Sequence, residues 1–221
     1  MFYASFNISS SVYVKALCKG NTDERIVCLT FDDGPDPAYT PQVLEVLKKH
    51  QIQATFFCIG EKAADQSPLV RQISAEGHIL GNHSMTHSWK FPFYSYEKMV
   101  DDLQRAETKI LYNESRTGIL FRPPFGVTNP TIAKVVYNMR GTVIGWSIRS
   151  FDTVDKSEER VFRRIVKQIK PGAVILLHDR MPGCTSLVAR LLEHLKEIDY
   201  KVVPLNEMFC VPNLFKDEDD I

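Results

Sequence analysis

The 221 residues are 44% hydrophobic and 24% charged, an ordinary globular composition with enough length for one sizeable core. Lysine plus arginine equal aspartate plus glutamate at 27 each, so no strong net field attracts nucleic acid, an anionic membrane or an acidic polymer. We therefore expect one domain, a neutral or locally recognised substrate, and no nucleic-acid partner.

The five cysteines are odd in number and form no Cys-x-x-Cys pair, which excludes a complete disulfide framework. Cys28 and Cys58 lie in apolar runs and are expected to be small buried hydrophobic residues. No stretch approaches the roughly 18 apolar residues of a membrane span, and residues 1–7 lack the basic start and hydrophobic core of a signal peptide. The sequence thus predicts no transmembrane segment, whereas compartment and oligomeric state stay open.

Strand-like and helix-like segments alternate with short connections along almost the whole chain. The predicted strands are 26–31, 54–59, 78–80, 119–121, 142–147, 173–177 and 201–205. The predicted helices are 40–50, one with Pro68 near its start that stops at Gly77, 95–112, 129–140, 157–169 and 185–198. About seven strand–helix units predict a parallel α/β fold.

The polar motifs all fall where predicted strands end, and on several different strands. A barrel brings such positions together on one face, so it is favoured over an open doubly wound sheet. A nucleotide-binding open sheet also lacks support, because no Gly-x-Gly-x-x-Gly follows the first strand and no P-loop pattern occurs. We expect a lead-in segment over residues 1–25, a single domain over 26–210, and a solvated acidic tail over 211–221.

Two adjacent carboxylates, Asp32 and Asp33, end the first strand in a Thr-Phe-Asp-Asp-Gly-Pro segment, and His83 and His87 stand four residues apart. Each pair alone has a simpler explanation, a strand-closing turn or a chance spacing of histidines. Together, one carboxylate and two histidines are the usual protein ligands of a catalytic metal that keeps a position open for water. The combination predicts a metal site with a second carboxylate left over as a base.

Two further strand ends carry candidate catalytic groups. Arg122 precedes two prolines and is either a snorkelling surface arginine or a bidentate partner that holds Asp32 ionised. His178, followed by Asp179, either caps its strand or protonates a leaving amine. Trp146 is expected to belong to the core or to a pocket wall.

Taken in order, these motifs resemble the polysaccharide deacetylases, which are carbohydrate esterases of family 4 with a NodB homology domain. The resemblance spans about 26–205 and rests on Thr-Phe-Asp32-Asp33-Gly-Pro, His83-Ser-Met-Thr-His87, Arg122-Pro-Pro-Phe125-Gly and Leu176-Leu-His178-Asp179. It implies a distorted (β/α)7 barrel and metal-dependent hydrolysis of N-acetyl groups on amino sugars in chitin-type or peptidoglycan chains.

The resemblance also implies a ligand set and a division of roles. Asp33, His83 and His87 would hold Zn²⁺ or a similar divalent ion such as Co²⁺, Ni²⁺ or Mn²⁺. The other implied roles are a general base at Asp32, its orienter at Arg122, a general acid at His178, an oxyanion donor at the backbone amide near Phe125, and an acetyl-methyl pocket at Leu176.

One motif departs from the family pattern, which carries Asp-x-x-Asp-Trp after Trp-Ser. Here Arg149 replaces the first aspartate, Asp152 matches the second, and Thr153 replaces the tryptophan. Arg149 is expected to lower the pKa of His178 unless Asp152 or Asp179 offsets it. The departure therefore bears on substrate range more than on reaction type.

Three functions remain open from the sequence. The first is N-deacetylation of a β-linked amino-sugar oligo- or polysaccharide, with aromatic residues between Trp89 and Tyr96 as a sugar platform or as a packed hydrophobic loop. The second is O-deacetylation of a xylan-type polysaccharide, which needs the same activated water and less help for the leaving group. The third is a metal-holding carbohydrate-binding protein without turnover.

Overall fold

A computed structural model describes Ser5, residues 7–111 and residues 118–209 of the chain. Its strands are β1 Ile26–Asp32, β2 Thr55–Cys58, β3 Ile79–Asn82, β4 Leu120–Phe121, β5 Thr142–Val143, β6 Ile148–Arg149, β7 Ala173–His178 and β8 Lys201–Val202. Its α-helices are α1 Thr40–Lys49, α2 Gly60–Asp65, α3 Ser67–Ala75, α4 Tyr96–Ile110, α5 Pro130–Asn138, α6 Glu158–Val166, α7 Cys184–Glu197 and α8 Leu205–Phe209.

The described strands form one parallel sheet in the order β5-β4-β3-β2-β1-β7-β6, and β8 pairs with the start of β1. The sheet curves into a half-barrel with helices around it, so the expected single-domain α/β barrel-type fold is confirmed. β1 pairs with β7 over six residues in a register that sets Asp32 opposite His178. The carboxyl ends of the parallel strands, where the motifs fall, therefore share one edge of the sheet.

Side-chain alternation along β1 separates the core from the site. Val27, Leu29 and Phe31 pack into the largest hydrophobic cluster, together with residues of the surrounding helices. Thr30 and Asp32 have the opposite parity and point to the other face of the sheet, where both contact one guanidinium. A strand buried on both faces thus ends with polar side chains directed into the barrel.

Residues before β1 also contact the barrel. Ile8 packs in a cluster with Phe121 and Val143, and Leu17 forms a parallel bridge to Ile144. The domain boundary at residue 25 stays a prediction.

The expected strand 142–147 is confirmed only over Thr142–Val143, since residues 144–147 lie outside the strands and β6 begins at Ile148. The side chain of Arg122 takes the intervening carbonyl groups: its Nε donates to Ile144 O at 3.1 Å and its Nη2 to Gly145 O at 2.8 Å. Carbonyl oxygens that bind a guanidinium do not continue a regular ladder, so the sheet gains an extra short strand at Ile148–Arg149.

The predicted helix with Pro68 near its start is confirmed as α3, whereas the separate short helix before it, α2, was not predicted; Gln66 leaves the helical region between the two. One other boundary differs from expectation. The last strand ends at Val202, and Leu205 begins α8 instead of closing the strand. Pro204 separates them and has no N–H to offer to a ladder.

Cys28 and Cys58 are buried, as predicted, and the four cysteines within the described residues are free thiols. The end of the predicted helix at residue 112, Cys210 and the tail 211–221 lie outside the described residues. Among the described helices, none has both the length and the apolar composition needed to cross a membrane.

Candidate active site

Arg122 lies immediately after β4 and is fully buried in the barrel. Its Nη1 donates to Asp32 Oδ1 at 2.7 Å and to Thr30 Oγ1 at 2.8 Å. The expected bidentate pairing is not found, because the other guanidinium donors bind the two carbonyl oxygens between β5 and β6. Burial lowers the pKa of Arg122, and the Asp32 carboxylate opposes this effect. The arginine thus fixes Asp32 from one side and leaves Oδ2 directed elsewhere.

The adjacent Asp33 turns to a different set of partners because its backbone has a φ of 70°. Its Oδ1 lies 3.5 Å from His83 Nε2 and 3.4 Å from His87 Nε2. One ligand atom from each of the three residues lies within 4.8 Å of the others. Two imidazole nitrogens and one carboxylate oxygen are therefore grouped tightly enough for one metal ion.

These three side chains are in protonation states that allow them to bind a cation. His83 Nδ1 lies 2.7 Å from Arg122 O, and since a carbonyl only accepts, the proton sits on Nδ1 and Nε2 is free. Burial and the neighbouring His83 lower the pKa of His87 to about 4, so this ring is neutral near pH 7. Burial alone would raise the pKa of Asp33, but His83, followed by His87 and His178, holds it well below its usual range.

One unsatisfied atom marks the centre of this group. Asp33 Oδ1 is buried and has no hydrogen-bond partner among the described residues. A buried carboxylate oxygen without a partner is costly, and a bound divalent cation would satisfy it. This oxygen, with two imidazole nitrogens, fits zinc or a similar ion.

His178 ends β7 and is held by Asp152 at two points. Asp152 Oδ1 lies 2.7 Å from His178 Nδ1, and Asp152 Oδ2 accepts the backbone N–H of His178 at 2.8 Å. Burial lowers the pKa of His178, but the hydrogen bond and charge of Asp152 outweigh it, so the net shift is upward. Arg149 lies over the rings of Trp146 and Phe151, at 5.6 and 4.8 Å from their centroids.

Asp179 was expected to support His178, but its contacts lie elsewhere. It is fully buried, and Thr40 Oγ1 donates to its Oδ2 at 2.5 Å. It also packs under Gly34, where an added Cβ would lie 2.5 Å from Asp179 Oδ1. Burial raises the pKa of Asp179 to about 6. This carboxyl group therefore supports the loop that carries Asp33.

A cavity of about 150 Å³ brings most of the predicted site residues together. They are Asp32, Asp33, His83, His87, Phe125, Trp146, Leu176 and His178. Arg122 and Asp152 lie behind this surface and bind Asp32 and His178 respectively. Phe125 has a φ of 60° and places its ring 4.6 Å from that of His87.

Two cationic side chains that hold Asp33 were not predicted from the sequence. Arg180 Nε donates to Asp33 Oδ2 at 2.8 Å, and Lys62 Nζ donates to Asp33 O at 2.6 Å. Arg180 comes directly after the His178-Asp179 pair, a position that could have drawn attention to it. Lys62 lies on α2, and nothing in its sequence surroundings indicates this contact.

The aromatic segment after His87 divides between its two interpretations. Phe91 is 1% exposed and belongs to the core, whereas Trp89 and Phe93 are 69% and 80% exposed. Trp89 and Phe93 are therefore the more exposed surface for sugar rings, whereas Tyr94 and Tyr96 are half-buried against the core.

Comparison with known proteins agrees with this geometry. The family model described as polysaccharide deacetylase matches residues 19–144. A peptidoglycan-N-acetylglucosamine deacetylase of Bacillus cereus is 35% identical over 191 residues, covering 84% of this chain and 89% of the relative. A chitooligosaccharide deacetylase of Sinorhizobium fredii is 34% identical, covering 77% and 79% respectively.

A solved structure is similar over nearly the whole chain. It is a peptidoglycan N-acetylglucosamine deacetylase in complex with 4-naphthalen-1-yl-N-oxidanyl-benzamide, with a TM-score of 0.83, 27% identity, and coverage of 90% of this chain and 94% of that one. The chain belongs to the polysaccharide deacetylase family, the family-4 carbohydrate esterases with a NodB homology domain. It is a hydrolase of the class that acts on amide bonds.

Proposed function

We propose that the protein is a metal-dependent N-deacetylase of an amino-sugar polymer of the peptidoglycan or chitin type. The observation that carries this proposal is the placement of two different groups beside the Asp33 cluster. Asp32 Oδ2 lies 3.8 Å from His83 Nε2, and His178 Nε2 lies 3.8 Å from Asp33 Oδ2. A base and an acid thus flank the same cation site.

The residues that would hold the ion are Asp33, His83 and His87, with Zn²⁺ as the expected metal and Co²⁺, Ni²⁺ or Mn²⁺ as alternatives. When bound, such an ion polarises an amide carbonyl and lowers the pKa of a coordinated water to about 7. The remaining chemistry belongs to side chains of this chain.

Asp32 would take the proton from the attacking water. Its Oδ1 accepts a hydrogen bond from Arg122, so Oδ2 is the oxygen available as the base. Arg122 itself is immobilised by Thr30 and by two carbonyl oxygens, which fixes the carboxylate in place. The base is therefore oriented before substrate arrives.

His178 would deliver a proton to the leaving nitrogen. Asp152 occupies its Nδ1, so Nε2 faces the cavity, and the raised pKa favours the protonated form. The backbone amide near Phe125 is proposed as the oxyanion donor, worth about 3 kcal/mol. Leu176 and Trp146 would hold the acetyl methyl, and the products are acetate and a free amine.

The same His178–Asp152 pair favours an amide over an ester substrate. An amine is a poor leaving group unless protonated, whereas an alkoxide leaves with less help. The names of the relatives support N-acetylglucosamine chains as the first substrates to test.

The test measures acetate released from an N-acetylglucosamine tetramer by metal-loaded and chelator-treated protein, with Asp32→Asn as the variant. We expect kcat to fall by about 10²–10⁴-fold in Asp32→Asn, because a general base contributes that much. Asp65→Asn is the matched control, since Asp65 is exposed and lies at the end of α2 outside the cavity. Undiminished turnover in Asp32→Asn would contradict the proposed base.

A second variant separates amide from ester hydrolysis. His178→Ala should lose acetate release from the N-acetylated tetramer while retaining more activity on an O-acetylated xylan oligomer. A wild-type protein that prefers the ester by kcat/KM would instead identify an O-deacetylase.

A further inference from the structure

Arg180 lines the cavity, but neither the motifs nor the proposed mechanism assigns it a role. It follows β7 by two positions, and its side chain is 39% exposed. Its Nε donates to Asp33 Oδ2 at 2.8 Å, the shortest contact that this carboxylate makes with another side chain among the described residues. The guanidinium of Arg180 thus binds the same carboxylate that faces the two histidines.

The two oxygens of Asp33 are divided between two directions. Oδ1 faces both imidazole Nε2 atoms and has no hydrogen-bond partner among the described residues, whereas Oδ2 is bound by Arg180. Lys62 Nζ also holds the carbonyl oxygen of Asp33 at 2.6 Å, so the backbone resists rotation. A carboxylate held in this way presents Oδ1 to a cation, because Oδ2 already accepts a charge-assisted hydrogen bond from Arg180.

We propose that Arg180 is a positioning residue that restricts Asp33 to a one-oxygen metal ligand. This inference rests on the proposed metal site. Its first consequence is electrostatic: the guanidinium charge opposes a cation on the other side of the same carboxylate and draws electron density from Asp33. Arg180 therefore lowers metal affinity.

The second consequence concerns catalysis. When an ion is bound, a carboxylate that uses one oxygen would occupy fewer of its ligand positions, and a weaker donor would leave the ion a stronger Lewis acid. Arg180 would thus lower the metal affinity and raise the reactivity of the bound ion. Arg180 acts on the reaction only through Asp33.

The experiment measures the zinc dissociation constant by competition with a chromophoric chelator, which needs no turnover. The variants are Arg180→Met, which keeps the apolar stem without the charge, and Arg180→Lys, which keeps the charge without the guanidinium. Arg149→Met is the matched control, because Arg149 is the other arginine of the same cavity and contacts aromatic rings rather than Asp33.

We expect Arg180→Met to bind zinc about tenfold more tightly than the wild type, Arg180→Lys to lie between them, and Arg149→Met to stay within about twofold of the wild type. In Arg180→Met, kcat falls and the acidic limb of its pH profile moves to higher pH, since the metal-bound water is then less acidic. The position of this limb is a readout that a merely structural role would not move.

Two failures are distinguishable. If the wild-type protein takes up no zinc and Asp33→Asn is indistinguishable from it, the proposed metal site and this inference both fall. If the wild type binds zinc and Arg180→Met binds it equally or more weakly, the inference about Arg180 alone is overturned.

Discussion

Two neighbouring aspartates of the same chemical type serve different parts of the site. Strand alternation directs Asp32 into the barrel, where Arg122 binds one of its oxygens. Asp33 follows the strand with a positive φ, which turns its carboxylate toward His83 and His87. Backbone geometry, rather than side-chain chemistry, therefore separates the proposed base from the proposed ligand.

At the same scale, Asp152 is expected to control the pH range of the reaction. Asp152→Asn removes the charge and weakens the hydrogen bond that raise the pKa of His178, while burial still lowers it. The pKa of His178 then falls, and each unit of decrease lowers the protonated fraction at alkaline pH about tenfold. The alkaline limb of kcat/KM should move to lower pH, as measured by acetate release between pH 6 and 9.

The acidic limb provides the internal control for Asp152→Asn. It should stay in place, because it reports groups other than His178. An alkaline limb at its wild-type position would show that His178 is not the acid under Asp152 control.

At the scale of elements, the turn after β4 has two consecutive residues in the left-handed region. Phe125 and Gly126 both have positive φ, 60° and 69°, and the Cα of Gly126 lies against the indole of Trp146. Pro123 and Pro124 restrict the backbone that leads into Phe125 and Gly126. This turn places the ring of Phe125 against that of His87 and forms one wall of the cavity.

Gly126→Ala is expected to destabilise the protein. The added Cβ would lie 2.5 Å from Trp146 Cη2 in addition to occupying the left-handed region. Gly183→Ala is the matched control, because Gly183 has a φ of 84° and the nearest atom to its added Cβ is 3.9 Å away. Each substitution should lower the free energy of unfolding by about 1–3 kcal/mol through backbone strain, with a further loss in Gly126→Ala from the steric clash.

Urea denaturation of both alanine variants measures this difference. Acetate release should fall in Gly126→Ala and stay near the wild-type rate in Gly183→Ala. Equal losses of stability in the two variants would mean that the indole moves aside and does not fix the turn.

At the scale of the whole molecule, one buried carboxyl group contacts segments that are distant from it in sequence. Asp179 follows β7, Thr40 begins α1, and Gly34 lies in the loop after β1. These contacts join three elements beneath the proposed metal site. They also couple the ionisation of one side chain to the stability of the fold.

Asp179→Asn should alter how stability depends on pH. The folded-state pKa of about 6 lies above the unfolded value of 3.8, so the wild type loses stability as pH rises through this window. The full loss is about 3 kcal/mol, of which about 2 kcal/mol falls between pH 4 and 7. The asparagine variant lacks this loss, so its stability relative to the wild type should increase with pH.

The measurement is urea denaturation of metal-free protein at pH 4.5, 5.5 and 7.0. Asp65→Asn is again the control, because the Asp65 carboxyl group is exposed whereas that of Asp179 is buried. A difference between Asp179→Asn and the wild type that is constant with pH would contradict a raised pKa for Asp179.

Much of the fold was predictable because its signals are local. The apolar run of β1, the proline at the start of α5 and the apolar stripe of α7 each specify an element through a few neighbouring residues. The strand expected over 142–147 ends early, at Val143, for a nonlocal reason: Arg122, twenty or more residues earlier, binds the carbonyl groups of Ile144 and Gly145. A window of sequence contains no sign of that competition.

The sequence by itself determined which side chains meet, since the carboxyl ends of parallel strands share one edge and carry Asp32, Asp33, His83 and His178. Only the tertiary structure decided how they are paired. In the structure His178 is hydrogen-bonded to Asp152 and not to Asp179, and Asp33 is hydrogen-bonded to Arg180. The physical reason is that strand periodicity fixes the position and face of a residue, whereas hydrogen-bond partners depend on loop conformations that bring distant segments within 3 Å.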